Sequence, residues 1–89
     1  MATRTVTIAS AVGLHARPAS LFVEAVTESG IDVEISRPGE DAVDAGSILG
    51  VMALGAKHGE EVELSADAEG ADAVLDRLVA LLATDMDAQ

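Results

Sequence analysis

Residues Ile31-Asp32-Val33-Glu34-Ile35-Ser36 alternate apolar and polar without interruption. Successive side chains of a strand point to opposite faces, so this run is a strand with one buried face and one wet face. Glu61-Val62-Glu63-Leu64-Ser65 repeats the pattern, and Thr5-Val6-Thr7-Ile8 adds a strand with Val6 and Ile8 inward. Between the strands the period changes. Ala19, Phe22, Val23 and Val26 fall at i, i+3, i+4 and i+7, one face of a helix that ends near Gly30. Pro38-Gly39 marks a turn, after which Asp41 to Ala45 supplies a weak returning strand. Ser47 can cap a short helix running through Leu54, with Gly55 stopping it. Ala71, Val74, Leu75, Leu78, Val79 and Leu82 line one face of a last helix. The predicted order is β-α-β-β-α-β-α, an α+β arrangement in which helices cover the buried face of a sheet. No linker, repeat or low-complexity stretch interrupts it, so residues 1–89 read as one domain.

Composition narrows the classes of function. Phe22 is the only aromatic residue, although 49% of the chain is hydrophobic, so the core must be aliphatic. Without cysteine there is neither a disulfide framework nor a thiolate metal site. No apolar run approaches the roughly 20 residues of a membrane span, and the N-terminal residues lack a secretory core. Sixteen acidic residues against five basic ones give a net charge of −11. Such a surface repels nucleic acid and anionic lipid, and Arg4, Arg17, Arg37, Lys57 and Arg77 are dispersed rather than clustered. A cytoplasmic protein that binds neither nucleic acid nor membrane is expected.

Against this background Gly13-Leu14-His15-Ala16-Arg17-Pro18-Ala19 stands out. Pro18 has a fixed φ and no amide hydrogen, and is tolerated in a first helical turn, where the donors have no partner. The residue before a proline resists the α region, which leaves the helix start open between Ala16 and Pro18. Either start places an imidazole beside the exposed amides of a helix N-terminus, a ready anion site. Ser, Thr, Asp or Asn usually occupies such a position, and an aspartate would repel phosphate; this chain offers His15. A nucleophile, a positive dipole end and the Arg17 guanidinium meet in one segment. That combination suits a phosphoryl group carried on histidine. Neutral imidazole is nucleophilic near neutral pH, and the helix end disfavours imidazolium. After phosphorylation the same end and Arg17 meet the new negative charge. His58, the only other histidine, reads as a solvated loop residue.

The segment resembles the active-site segment of the HPr family, the histidine-containing phosphocarriers of the bacterial sugar phosphotransferase system. Ser47-Ile48-Leu49-Gly50-Val51-Met52-Ala53-Leu54-Gly55 is similar to the family's second helix and its regulatory serine segment. The resemblance extends from Thr3 to about Asp85. It implies an open-faced β-sandwich with a four-stranded antiparallel sheet covered on one face by three helices. It also implies that Nδ1 of His15 takes its phosphoryl group from the phosphohistidine of enzyme I, itself charged from phosphoenolpyruvate, and that IIA domains of sugar permeases accept it. Ala16 and Arg17 would offer backbone amides to the phosphate, Arg17 its side chain as well, and Pro18 would set the helix. No metal or cofactor is implied. Ser47, a helix cap on its own chemistry, would be a regulatory site for an HPr serine kinase in some bacteria.

Three positions depart from common family patterns. Val12 replaces a small polar residue, and Glu24 and Thr27 stand where some members carry lysines that meet acidic partners. Docking should therefore lean on apolar contacts, with Leu21, Ile48, Leu49 and Met52 as candidates. Ile, Leu and Met at helical spacing usually mean core; here Val51 and Leu54 fit the core, which leaves Ile48 and Met52 together on another face. A regulatory adaptor of the same fold is the alternative, but such relatives typically lack the histidine. A carrier that visits several partners is expected to be a monomer.

Overall fold

A computed structural model of the chain describes residues 2–9 and 16–84. The strands are β1 (Ala2–Thr7), β2 (Val33–Ser36), β3 (Val43–Asp44) and β4 (Glu61–Ala66); the helices are α1 (Ala16–Ser29), α2 (Ile48–Ala53) and α3 (Ala71–Leu82). They follow one another as β-α-β-β-α-β-α. The sheet order is β1-β4-β2-β3, and every adjacent pair is antiparallel. The last strand is thus inserted between the first two, a pairing no local pattern announces.

Register follows the alternation. Leu64 lies opposite both Arg4 and Ile35, and Val62 lies opposite Val6, on the face that the helices cover. Thr3, Thr5, Thr7, Glu34, Glu61 and Glu63 point the other way and are exposed, which leaves the second face open to water. Phe22, Ile8, Ile35, Leu64, Leu75, Leu78 and Leu82 are the largest fully buried side chains between sheet and helices. Phe22 is the one aromatic ring in an otherwise aliphatic core.

Some boundaries differ from the sequence reading for local reasons. β1 starts at Ala2 because Thr3 and Arg4 pair with Ser65 and Leu64, a partner that a run without apolar residues could not reveal. Ile8 lies beyond the strand but stays paired, donating to the Glu60 carbonyl at 2.9 Å and accepting from the Gly59 amide at 2.9 Å. β2 begins at Val33, since Gly30 takes the left-handed conformation and the Ile31 amide turns to Ser29 Oγ. β3 shrinks to two residues: Asp44 Oδ1 accepts from the Gly46 amide and closes a turn into α2. At the other edge Arg4 donates to Asp76 at 2.9 Å and Asp72 at 3.1 Å, fastening β1 to α3. The hydrogen bonds it donates to Asp76, then to Asp72, raise the guanidinium pKa, so Arg4 stays charged in this pairing.

Candidate functional site at the start of helix α1

α1 begins at Ala16, directly after His15 in the chain. Val12, Gly13, Leu14 and His15 lie outside the described residues, and the described part of the site starts with Ala16. The pre-proline bias at Arg17 does not delay the helix. Pro18 is only its third residue, where no intrahelical donor is required. Pro18 is also fully buried, so the ring that fixes φ anchors this end of the helix in the core.

The first turn, Ala16 to Ala19, carries no acidic residue. Arg17 is exposed, and among the described residues no carboxylate pairs with it. A cation in a first turn opposes the helix dipole, at a cost of a few tenths of a kcal/mol or about 1 at most. The arrangement concentrates positive potential at the end of a 14-residue helix, and what it favours is an anion. Ala16 is the first helical residue here, so its amide and that of Arg17 are among the orphan donors of this turn.

α2 packs against α1 and β3. Ser47 is its N-cap, with φ −107° and ψ 117°, and its Oγ accepts from the Gly50 amide at 3.1 Å. Its own amide donates to the Asp44 carbonyl at 3.1 Å. A Cβ at Gly50 would stand 3.4 Å from both the Asp44 carbonyl oxygen and Ser47 Cβ, at ordinary contact distance, so the turn packs closely on the helix here. Gly55 ends the segment with φ +65°, a conformation that suits a glycine after a helix.

Only Val51 of α2 is buried. Ile48 is 37% exposed, Leu49 79% and Met52 40%, and with Leu21 of α1 at 40% they are the exposed large hydrophobic residues among those described. Leu54 is half-buried and packs against the core, as its spacing suggests. Single exposed apolar residues are ordinary, but three on a six-residue helix beside a fourth on the adjoining helix are not. Glu24 and Thr27 are exposed on α1, and His58 is exposed in the turn after α2. A groove of about 460 Å³ between α1 and α3 borders Leu21, Glu24 and Arg77. Among the described residues no group of three or more His, Asp or Glu is arranged to hold a metal ion.

Sequence reasoning missed three polar residues in this region. Asp44 shapes the turn that presents Ser47, and Asp44-Ala45-Gly46 carried the Asx-turn signal for it. Arg37 and Glu60 form an ion pair at 2.7 Å across 23 residues of chain, and no local pattern could have found it.

Comparison with known proteins agrees with this geometry. Residues 2–84 match a family model described as the PTS HPr component phosphorylation site. The phosphocarrier protein HPr of Streptomyces coelicolor is 52% identical over 83 residues, which cover 93% of this chain and 89% of that protein. The crystal structure of a phosphocarrier protein HPr from Bacillus anthracis superposes with a TM-score of 0.85 at 31% identity, over 91% of this chain and 95% of that one. An HPr from Thermoanaerobacter tengcongensis, 36% identical with a TM-score of 0.68 over 91% of this chain and 92% of its own, has been solved as a dimer. The order of strands and helices, the motif ahead of α1 and these similarities lead to one family: the chain belongs to the HPr phosphocarriers of the phosphotransferase system.

Proposed function

We propose that this chain accepts a phosphoryl group on His15 from the phosphohistidine of enzyme I and passes it to IIA domains of sugar permeases. The observation that supports this is the start of α1 at Ala16, with an acid-free first turn and an exposed Arg17 next to His15 in the chain. The lone pair on Nδ1 of a neutral His15 attacks phosphorus, the bond from phosphorus to the donor's ring nitrogen breaks in line, and the donor imidazole leaves neutral. No net proton changes hands. The helix amides and Arg17 stabilise the charge on the three equatorial oxygens, and delivery to a IIA domain repeats the step in reverse roles. Few ligands suit a carrier, since a phosphate caged by many donors would not leave.

Docking falls to Leu21, Ile48, Leu49 and Met52, whose exposure offers enzyme I and IIA domains an apolar face. Ser47 serves as a regulatory phosphorylation site wherever an HPr serine kinase is present. The carrier works as a single-domain monomer in the cytoplasm, and sedimentation of the phosphorylated and free forms checks the oligomeric state.

Incubation with enzyme I and labelled phosphoenolpyruvate tests the central claim. The protein should gain acid-labile, base-stable phosphate, and His15→Ala should gain none while its stability changes by no more than about 1 kcal/mol. Label on the alanine variant would remove His15 from the mechanism.

A further inference from the structure

α2 is too short to hold itself in place, since isolated helices below roughly 12 residues are marginal in water. Its position is decided by tertiary contacts, those of the buried Val51 and those at its two ends. At the first end these are Ser47 and Asp44. At the second, the carbonyl of its C-cap residue Leu54 accepts from Nη1 of Arg37 at 3.4 Å. The same guanidinium donates through Nη2 to Glu60 Oε2 at 2.7 Å, and its Nε stands 3.4 Å from Glu40 Oε2. The second carboxylate oxygen of Glu60 accepts from the Lys57 amide at 2.8 Å. Arg37 and Glu60 thus tie the end of α2 and the turn that follows it to the chain just beyond β2.

Glu60 reaches further through its backbone. Its carbonyl accepts from the Ile8 amide, and the neighbouring Gly59 amide donates to the Ile8 carbonyl, both at 2.9 Å. Ile8 and Ala9 are the last residues described before Ala16, and the Ala9 amide is bound to the Leu82 carbonyl at 3.0 Å. One half-buried ion pair therefore sits where the end of α2 and the chain at Ile8 are joined. The side chains of Arg37 and Glu60 are 34% and 33% exposed, against 78% and 67% for Asp72 and Asp76 in the ion pairs of Arg4. Less water competes with the inner pair, and a charge-assisted bond of 2.7 Å is a strong one.

We propose that Arg37 and Glu60 are positioning residues for phosphoryl transfer, holding the apolar face of α2 in register with the start of α1, which follows His15 in the chain. The inference rests on the reading of His15 given above. A partner that grips Ile48, Leu49 and Met52 brings its own phosphohistidine to a place set by α2, and in-line transfer tolerates little error there. A displacement on the order of 1 Å can cost a hundredfold in rate. Neither residue touches the transferred group.

The test is single-turnover transfer from isolated phosphorylated enzyme I to wild type, Arg37→Met, Arg37→Lys and Glu60→Gln, with thermal unfolding of each. Arg37→Met keeps the apolar stem and loses the charge; Arg37→Lys restores one charged donor toward Glu60. The saturating rate should fall about tenfold in Arg37→Met and Glu60→Gln and recover in part in Arg37→Lys, with half-saturation within about twofold of wild type because the docking face is untouched. Saturating rates equal to wild type would overturn the assignment. So would a change confined to the unfolding temperature. Wild type that takes phosphate while the variants match it overturns this inference alone; wild type that takes none overturns the reading of His15 with it.

Discussion

α2 and α3 use their apolar residues in opposite ways. In α3, Ala71, Leu75, Leu78 and Leu82 are buried, and the helix exposes no large hydrophobic side chain. In α2 only Val51 is buried, while Ile48, Leu49 and Met52 face solvent. Their starts differ too. α3 follows a left-handed Gly70 without any side-chain cap, and its buried stripe and the Arg4 ion pairs to Asp72 and Asp76 hold it. α2 has a capping serine and an arginine on the carbonyl of its C-cap residue. Burial explains the apolar residues of α3. It does not explain Ile48, Leu49 and Met52 of α2, a helix held by the one buried Val51 together with polar contacts at its ends.

The sharpest way to break this comparison is to remove a core side chain from α3. Leu75→Ala should cost about 3 kcal/mol in urea unfolding, with transfer from enzyme I unchanged in the molecules that remain folded. A loss below about 1 kcal/mol would mean that α3 does not anchor the domain.

A charge at the cap of α2 should do the reverse. Ser47→Asp keeps an acceptor for the Gly50 amide, and an aspartate is itself a good N-cap, so thermal unfolding should stay near wild type. Half-saturation by enzyme I should rise about fivefold, since a partner covering Ile48 and Met52 must then accommodate a new charge. Unchanged transfer would reduce Ser47 to a cap.

The smallest effect belongs to Leu49→Ser. At 79% exposure the side chain contributes little to folding, and stability should move by less than about 0.5 kcal/mol. Half-saturation should still rise about threefold if Leu49 is part of the docking face. A variant destabilised as strongly as Leu75→Ala would erase the contrast between the two helices.

Much of the fold was legible because its segments advertise their period. The alternation at 31–36 and 61–65 and the helical spacing from Ala19 to Val26 each depend on residues a few positions apart. The weak strand after the Pro38-Gly39 turn was harder, since the exposed Asp44 side chain accepts from the Gly46 amide and shortens it. Arg17 and Pro18 were legible from the chemistry of a helix start. Arg37 and Glu60 were not, because each is an ordinary charged residue until the fold brings them to 2.7 Å.

By itself the sequence determined which segments are strands and helices, which of their faces are apolar, and that a histidine precedes a helix whose first turn holds an arginine and no acid. These are local properties, set by side-chain chemistry and spacing. Only the tertiary structure decided that β4 lies between β1 and β2 and that one ion pair joins the end of α2 to the chain beyond β2. Those outcomes depend on pairing residues tens of positions apart, and the free energy that selects among such pairings comes from burying the whole aliphatic core at once.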